Sequence, residues 1–450
     1  MTRSTLLEKY DVPVPRYTSY PTVPYWSDPP TTADWLGSLR EAAGDPTLTW
    51  ALYIHIPFCE SLCTYCGCNT VITQNHGREA AYIDSLHREW AFYRQAVPEL
   101  TSRSLRQLHL GGGTPTFLSP EHLKLLLAPI LRETKILSDR FDASIEVDPR
   151  VTRLEHLSAL RELGFTRISM GVQDFEPEVQ RLVNRIQPFE VTANLTRESR
   201  RLGFQSVGYD LIYGLPCQTP ETMEQTARLT VELGPDRIAL YSFARVPWIK
   251  PAQRLFKDED LPVGAAKRAL YERACDILTG AGYVEIGMDH FALAHDSLYQ
   301  AQRTGELHRN FMGYTEFRTR ALLGLGVSAI GETPTCFHQN EKVLPIYERR
   351  LSAGEIPTFR GHRLTEEDRR LREQILDFMT RLEVRLANED QVRDARSFLA
   401  PLIEDGLLRL SGRILRLTEE GRPFLRNAAV FFDRRLREKQ PETRIFSSAL

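Results

Sequence analysis

The chain has 450 residues, 42% of them hydrophobic, which is enough to bury a large core in one big domain with smaller appendages. Its 57 Lys and Arg nearly balance 59 Asp and Glu, a net charge of −2, so no global basic field recruits nucleic acid. No apolar run approaches the ~20 residues that span a bilayer, and the first nine residues lack the apolar core of a secretion signal. We therefore expect a cytoplasmic protein that binds neither membranes nor nucleic acid.

Residues 1–45 are predicted to form an N-terminal arm. Its aromatic, proline-rich stretch, with Pro15, Tyr17, Tyr20 and Pro21, is unfavourable for a helix. We expect this stretch to pack over a site on the domain that follows, to close that domain as a strap, or to do both.

Four of the seven cysteines fall close together, at Cys59, Cys63, Cys66 and Cys68. Gaps of four and three residues let the first three thiolates wrap one side of an iron–sulfur cube, which leaves one iron of a [4Fe–4S] cluster open for other chemistry. A structural zinc site normally needs a second, distant pair of ligands, and an odd cysteine count in a large chain does not suit a disulfide framework. The spacing favours a cluster over zinc and leaves zinc as the alternative.

From about residue 50, short apolar segments alternate with longer amphipathic ones. The predicted strands are Leu52–Ile56, Gln107–Leu110, Ser144–Val147, Arg167–Val172, Ser206–Ile212 and Asp236–Ser242. The predicted helices are Arg78–Arg94, Pro120–Glu133, Leu154–Leu163, Glu178–Asn184, Val191–Leu202 and Pro220–Leu233. Repeated strand–helix units with nearly continuous apolar strands indicate a parallel sheet with helices outside. Six units are too few for a closed eightfold barrel, so we expect an α/β fold with a partial, open (β/α)6 TIM-like barrel over residues 46–300, and a doubly wound sheet as the alternative.

The loops after these strands contain the unusual residues. The cysteines follow the first strand, the run Gly-Gly-Gly-Thr-Pro at 111–115 follows the second, and Glu146 lies at the end of the third. Gln173 ends the fourth strand and Asp210 belongs to the fifth. Because the C-terminal ends of parallel strands form the active-site face of such folds, we expect these residues to converge. Each also has a purely structural explanation, since glycines make tight turns and Glu146 could cap a helix.

The part of the chain beyond the sixth unit is predicted to extend and cover the barrel. A helix is expected over Ala265–Gly282 and an apolar stretch over Tyr283–Met288. We assign residues 301–358 to an extension that closes the barrel.

The composition changes near residue 360. Glu366–Arg385 is predicted to be one charged amphipathic helix, and Ser411 and Gly412 form a hairpin turn between two short strands. We predict a mainly helical, winged-helix-like domain over residues 359–450. Arg413 and Arg416 alternate with apolar residues, as on an ordinary solvated strand, so we expect a cover rather than a DNA reader.

Several motifs carry a resemblance to a known family. Those within the predicted barrel are YIHIPFC at 53–59, GGGTPT at 111–116, IEVDP at 145–149, SMGVQD at 169–174 and DLIYGLP at 210–216. Those outside it are PRYTSYPT at 15–22, GMDHFA at 287–292, HRNF at 308–311 and GLGVSAI at 324–330. Together they resemble the radical S-adenosylmethionine superfamily and, within it, the oxygen-independent coproporphyrinogen III oxidases. The cysteine triplet alone would indicate only the superfamily.

The resemblance implies that Cys59, Cys63 and Cys66 bind a [4Fe–4S] cluster whose fourth iron takes the amino and carboxylate groups of S-adenosylmethionine. It implies a second S-adenosylmethionine as well. The positions that match contacts to the cluster-bound molecule are Tyr53, Gly112, Glu146 and Ile330. The positions that match contacts to the second molecule are Tyr65, Gly113, Thr114, Gln173, Arg185, Asp210 and Ala244.

The family's substrate implies further roles. Coproporphyrinogen III carries four propionates, two of which become vinyl groups, and recognition of such an anion calls for guanidinium or ammonium groups. Our candidates are Arg16 and Arg309. Cys68 is implied to serve activity without binding the cluster, and a buried spectator thiol is the alternative.

Two positions depart from the family pattern. Met312 stands where the pattern has glutamine, and Phe243 where it has tyrosine, which puts the details of the second cofactor site in question. A haem chaperone and a different radical enzyme acting on tetrapyrroles are the alternative functions. The resemblance also implies a reduced flavodoxin-like electron donor and a monomeric protein.

Overall fold

The computed structural model describes residues 3–137, 140–441 and 445–448. Across these residues, twelve strands form one mixed sheet: β1 Thr49–Ile56, β2 Ser104–Gly112, β3 Asp142–Val147, β4 Arg167–Gln173, β5 Ser206–Tyr213, β6 Arg237–Ser242, β7 Val284–Ile286, β8 His290–Ala292, β9 Ala321–Leu325, β10 Ile330–Glu332, β11 Cys336–Asn340 and β12 Thr358–Arg363. Their order across the sheet is β12-β11-β10-β9-β1-β2-β3-β4-β5-β6-β8-β7.

The six predicted strands are confirmed as β1 to β6, which pair in parallel with their neighbours in chain order. β9 adds a further parallel strand beside β1, and β10 to β12 continue the sheet in antiparallel fashion. The register places Tyr53 of β1 level with His109 of β2, and Glu146 of β3 level with Ser169 of β4. The α/β partial barrel is therefore confirmed, and its register brings polar residues of separate strands side by side.

Amphipathic helices cover the outside of the barrel. They are Arg78–Ala96, Pro120–Arg132, Leu154–Glu162, Pro177–Leu182, Phe189–Arg201, Pro220–Leu233 and Gly264–Gly280. Their apolar faces, with Leu86 and Leu126 as examples, share one core with Leu52 and Ile54 of β1, all without solvent exposure. Each such side chain contributes about 1.5–3 kcal/mol by leaving water. The Thr219 side chain caps the first turn of its helix, a local signal that matches the predicted start of that helix.

A helical module follows the sheet. Its helices are Glu366–Arg381, Glu389–Phe398, Ala400–Glu404, Leu425–Ala429 and Arg434–Glu438, and its small sheet contains Glu383–Arg385, Leu408–Ser411 and Ile414–Leu417. The predicted hairpin is confirmed, with Gly412 at a φ of 56° in its turn. The single helix predicted over Glu366–Arg385 is wrong at its end. Leu382 takes a φ of 58° and ends the helix, because Val384 packs into the module as part of a strand.

The N-terminal arm packs into the core of this C-terminal module. A helix over Arg3–Tyr10 precedes the proline-rich stretch, and Tyr10 contacts the ring of Phe424 at 5.3 Å between centroids. Tyr17 and Tyr20 are buried in the same cluster. Arg426 donates to the backbone oxygens of arm residues 14 and 15. Residues between Leu7 and Tyr20 and residues between Leu371 and Phe432 thus share one core, which we call the second core. In the described part of the chain, no helix is long and apolar enough to cross a membrane.

Candidate active site

A cavity of about 610 Å³ runs through the inside of the partial barrel. Its upper wall consists of the cysteine loop, which we define as residues 59–72, and the loops after β2 to β4. Its floor includes Arg167 and Arg237 at the starts of β4 and β6, whose guanidinium groups both bind Glu316. This ion network closes the lower end, so the polar upper rim is the side where a ligand would meet the loops.

All four clustered cysteines line the cavity. The Sγ of Cys59 lies 3.3 Å from the Oγ1 of Thr114, and burial raises the pKa of the Cys59 thiol to about 11. Cys66 accepts a hydrogen bond from the backbone N–H of Cys68 at 3.4 Å, and interaction with the Cys68 thiol lowers the pKa of Cys66 to about 6. Within the described residues, no three His, Cys, Asp or Glu side chains converge closely enough for a single metal ion. A cube differs in this respect, because each thiolate binds a separate iron.

Two arginines lie beside Cys63. Nη2 of Arg150 and Nη1 of Arg185 each lie 3.6 Å from its sulfur. Arg185 is buried, and its Nη1 also donates to Asp148 Oδ2 at 3.0 Å while Nη2 donates to the backbone oxygen of Gly171 at 2.6 Å. Burial alone would raise the pKa of Asp148, but the charge of Arg185 and the bonds from Arg150 hold it below its ordinary value. Two guanidinium groups beside a cavity-lining sulfur give this end of the cavity positive charge, which fits an anionic iron–sulfur cluster.

The sequence reasoning noted Asp148 at the end of the third strand without giving it a role, and it missed Arg150. The motif IEVDP does contain Asp148, and Arg150 follows it two residues later. An acidic and a basic residue just beyond a strand that ends at the active-site face were the available signal. The contact between Asp148 and Arg185 spans 37 residues of chain and could not be inferred from spacing.

The glycine run fits tightly against the end of β1 and the residues that follow it. Gly113 donates its N–H to Ile56 at 2.8 Å, and Gly112, with a φ of 120°, donates to Glu146 Oε2 at 3.3 Å. A Cβ at Gly113 would come within 2.6 Å of the Pro57 oxygen, and one at Gly112 within 2.8 Å of the His55 ring. Glycine is therefore required here by the close approach of two segments of this chain.

We expect Gly113→Ala to lower the free energy of unfolding by about 1–3 kcal/mol, because the added methyl meets a backbone oxygen that cannot move aside cheaply. Gly67→Ala is the matched control, since it lies in the cysteine loop with nothing within 4 Å of its Cβ. Chemical denaturation of both variants measures the difference. Equal stability of the two variants would contradict the steric explanation.

A row of polar rings and a carboxylate forms the wall between β1 and β3. The Tyr53 hydroxyl lies 3.0 Å from Nδ1 of His55, and its ring stacks on His109 with centroids 5.9 Å apart. His109 Nε2 lies 3.4 Å from Glu146 Oε1. Burial alone would raise the pKa of Glu146, but His109 and the Gly112 N–H lower it, so a carboxylate faces the cavity. Glu146 lines the cavity, and Tyr53 supports it from behind.

Asp210 and Gln173 line the opposite wall. Asp210 Oδ2 accepts a hydrogen bond from the Ser169 hydroxyl at 3.3 Å, and burial raises the pKa of Asp210 to about 7, with the charge of Glu146 adding to the effect. Gln173 ends β4 with a φ of 69°, which directs the chain away from the sheet. A carboxyl group with this pKa is poised to ionise when a cation binds beside it.

The raised pKa of Asp210 makes stability depend on pH. The folded protein holds this proton more tightly than the unfolded chain, so the stabilisation is complete below the ordinary value of 3.8 and is lost as the pH rises through about 7. We expect Asp210→Asn to raise the melting temperature more at pH 8 than at pH 4, as followed by thermal melting. The exposed Asp276→Asn serves as the control, and a pH-independent difference for Asp210→Asn would contradict the prediction.

The remaining candidates differ in whether they reach the cavity. Tyr65 lines it, whereas Ala244 and Ile330 are not among its lining residues as the structure describes them. Gln253 links Tyr65 to Ala244, because its Nε2 donates to the backbone oxygen of Tyr65 at 3.0 Å and to the backbone oxygen of Ala244 at 3.3 Å. Sequence reasoning missed Gln253, because this residue belongs to none of the motifs that carry the family resemblance.

The two departures from the family pattern differ in position. Met312 lines the cavity, so the missing glutamine changes a surface that a ligand would touch. Phe243 is buried instead, with its ring 5.8 Å from that of Phe256. The missing tyrosine hydroxyl is thus replaced by an apolar contact.

Arg16 and Arg309 lie together behind an aromatic end of the cavity. Arg16 forms an ion pair with Asp289, and its guanidinium lies 5.8 Å from the ring centre of Tyr241, which lines the cavity. Arg309 is only 4% exposed and lies 4.5 Å above the ring of Tyr314, another lining residue. Nη2 of Arg309 donates to the Arg16 backbone oxygen at 3.5 Å, but its Nε and Nη1 have no hydrogen-bond partner among the described residues.

Comparison with known proteins identifies the class. Residues 53–230 match the family model of the radical SAM superfamily, and this range holds the cysteine loop, the glycine run and most of the residues that line the cavity. The fold and site therefore define a radical S-adenosylmethionine enzyme.

The relatives narrow the assignment. The oxygen-independent coproporphyrinogen III oxidase of Escherichia coli K12 is 40% identical over 443 residues, covering 96% of this chain and 95% of the relative. The enzyme of the same name from Synechocystis is 38% identical over 463 residues, covering 99% and 97%. A solved structure of coproporphyrinogen III oxidase from Escherichia coli, described as a radical SAM enzyme, matches with a TM-score of 0.88 and 40% identity over 94% of this chain and 98% of that one. The chain belongs to the family of oxygen-independent coproporphyrinogen III oxidases.

Proposed function

We propose that this protein converts coproporphyrinogen III to protoporphyrinogen IX without oxygen, a step of haem biosynthesis in which two propionate side chains become vinyl groups. The observation that carries the proposal is one cavity in which the cysteine loop meets the glycine run, Glu146 and Asp210, in a chain similar to these oxidases over nearly its full length. A [4Fe–4S] cluster held by Cys59, Cys63 and Cys66, with bound S-adenosylmethionine, would supply the 5′-deoxyadenosyl radical that abstracts hydrogen.

The residues of the chain are proposed to bind and orient two S-adenosylmethionine molecules. For the molecule on the cluster, Gly112 and Glu146 line the cavity, while Tyr53 and Ile330 stand outside the lining. The assignment of contacts to the second molecule is supported by the residues that line the cavity, namely Tyr65, Gly113, Thr114, Gln173, Arg185 and Asp210. Ala244 does not line the cavity, but Gln253 links it to Tyr65. The Asp210 carboxyl would balance a sulfonium or amino group, and the Nε of Arg185, which has no hydrogen-bond partner among the described residues, is available for a carboxylate.

Arg16 and Arg309 are proposed to hold the propionates. Each decarboxylation removes one hydrogen atom from the carbon β to the carboxylate, releases carbon dioxide and leaves one electron. The carboxylate has to be ionised when the carbon–carbon bond breaks, and a buried guanidinium favours that form. Next to the cavity wall, Arg309 has two donors that find no partner in the part of the chain the structure describes, as a binding group for an anion would. Cys68 lines the same cavity and is proposed to serve activity without binding iron.

A product assay under strict exclusion of oxygen tests the function. Protein reconstituted with iron and sulfide, given dithionite, S-adenosylmethionine and coproporphyrinogen III, is expected to release two carbon dioxide and consume two S-adenosylmethionine for each protoporphyrinogen IX. Protein without reconstituted cluster is the control. Cleavage of S-adenosylmethionine without any vinyl product would overturn the proposal.

The electron donor, the cellular location and the oligomeric state are proposed as well. We propose that a reduced flavodoxin-like protein supplies the electrons, that the protein works in the cytoplasm, and that it acts as a monomer. Light scattering after size-exclusion chromatography tests the last point, and a stable dimer at micromolar concentration would refute it.

A further inference from the structure

Three basic side chains gather behind the cysteine loop. Nζ of Lys250 donates to the backbone oxygen of Cys68 at 2.7 Å. The next residue of that loop, Asn69, donates from Nδ2 to the backbone oxygen of Lys342 at 3.1 Å. Arg360 belongs to the neighbouring β12 of the sheet extension. We call Lys250, Lys342 and Arg360 the basic cluster, and in the described part of the chain none of these three side chains lines the cavity.

The charges of the basic cluster are not neutralised locally. None of the three side chains forms an ion pair with a carboxylate of the described residues, since Lys250 binds a backbone oxygen and Arg360 donates to the amide oxygen of Gln339 at 2.7 Å. Glu341 lies nearby, but its Oε1 accepts the backbone N–H of Lys342 at 2.8 Å. Burial and then the charges of Arg360 and Lys250 lower the pKa of Lys342, so Lys342 lies close enough to both cations to be repelled by them. An anionic surface would relieve this repulsion.

Exposed apolar side chains flank the same three cations in sequence. Ile249 precedes Lys250, Val343 follows Lys342, and Phe359 precedes Arg360, each between 47% and 59% exposed. Trp248, 47% exposed, adds a fourth. Single exposed apolar residues are ordinary, but apolar and aromatic groups interleaved with unpaired cations are typical of a protein interface.

The basic cluster lies close to the proposed iron ligands. The N–H of Cys68 donates to the Sγ of Cys66 at 3.4 Å, and the oxygen of the same residue accepts from Lys250. The ammonium group of Lys250 is therefore connected to the sulfur of Cys66 by two hydrogen bonds, both of which are made by the backbone of Cys68. A substrate inside the cavity would not contact the basic cluster, because these three side chains are not among the residues that line the cavity in the described part of the chain.

We propose that the basic cluster and its apolar neighbours form the docking surface for an acidic one-electron donor, a flavoprotein, that reduces the cluster of this enzyme. The inference rests on the proposed function, which requires that electron. In the step itself the donor is oxidised by one electron, the cluster is reduced by one, and no bond is formed or broken. Charge complementarity selects an acidic partner and brings it against the cysteine loop.

The double variant Lys342→Gln with Arg360→Gln tests the docking surface and leaves Lys250 in place to support the cysteine loop. The matched control is Arg396→Gln with Arg409→Gln, two exposed arginines of the C-terminal module. Purified flavodoxin, an acidic flavoprotein, is the probe. Its binding to the full chain is measured by calorimetry, and its reduction of the cluster by the loss of visible absorbance. At low salt we expect both affinity and reduction rate to fall on the order of tenfold in the double variant and to stay unchanged in the control.

Turnover driven by dithionite separates the possible results. The docking proposal expects the double variant to form product from dithionite at the unsubstituted rate, since this small reductant needs no docking surface. Unchanged flavodoxin binding overturns the proposal, and so does a raised KM for coproporphyrinogen III with dithionite, which would assign these cations to the substrate. Failure of the unsubstituted protein to form product with dithionite would instead refute the proposed function, while calorimetry would still test the docking surface.

Discussion

Cys63→Ala is expected to abolish both the visible absorbance of the cluster and product formation. The rate of product formation should fall on the order of a thousandfold or more, as it does when one of several residues that act together in catalysis is removed. The physical reason is that a cube needs a thiolate on each of three irons, and Cys63 is also the sulfur that Arg150 and Arg185 approach. Cys59→Ala and Cys66→Ala are expected to behave in the same way. Absorbance after anaerobic reconstitution and the product assay provide the two readouts.

Two further cysteines serve as controls for this prediction. Cys217→Ala, at an exposed cysteine remote from the loop in sequence, is expected to retain both absorbance and activity. Cys68→Ser is expected to retain the absorbance and lose most of the activity, because Cys68 lines the cavity without being assigned to an iron. Full absorbance in Cys63→Ala, or its loss in Cys68→Ser, would show that the ligands are assigned wrongly.

The second large effect is expected for Arg309→Met, which should raise the KM for coproporphyrinogen III by about 10- to 100-fold. Charge-assisted hydrogen bonds contribute about 1.5–3 kcal/mol each, and Arg309 has two free donors for a carboxylate. The melting temperature of the ligand-free protein should stay unchanged or rise, because the substitution removes a buried cation that lacks a counterion among the described residues.

Arg237→Met is the matched control for this effect on stability. Arg237 is also a largely enclosed arginine of the barrel, with 12% of its side chain exposed, but its Nε donates to Asp296 Oδ2 at 3.0 Å and its Nη2 binds Glu316. Removing one member of a buried ion network should cost about 3–5 kcal/mol of unfolding free energy. If Arg309→Met were as destabilising as Arg237→Met and left KM unchanged, Arg309 would be a structural residue.

The barrel was predictable because its signals are local. The strands of a parallel sheet are apolar on both faces, so runs such as Leu52–Ile56 stand out, and β1 exceeds that prediction by three residues at its start. The cavity was predictable for a related reason: consecutive parallel strands end at one edge, and the residues placed there, among them Glu146 and Asp210, do line one space.

The parts that were not predicted depend on contacts distant in sequence. The helix Arg3–Tyr10 has little amphipathic character of its own, and it gains stability from residues such as Phe424 that lie about four hundred positions later. The carboxylate of Asp148 meets Arg185 through the fold alone. The glycine run illustrates a different limit. Its sequence suggests close contact with a ligand, but glycine is required there because His55 and Pro57 of the chain itself lie too close to leave room for a side chain.

The second core has a consequence for how this protein is made. Tyr10 and Tyr17 leave the ribosome early, but their apolar partners in the C-terminal module are synthesised about 350 residues later, and at about 5–20 residues per second that delay is on the order of tens of seconds. Arg16, which lies between these tyrosines, reaches Asp289 beside the barrel. The arm therefore takes its final place only after the barrel has been made, and the part of the barrel beside Asp289 lacks its contact with the arm during that interval.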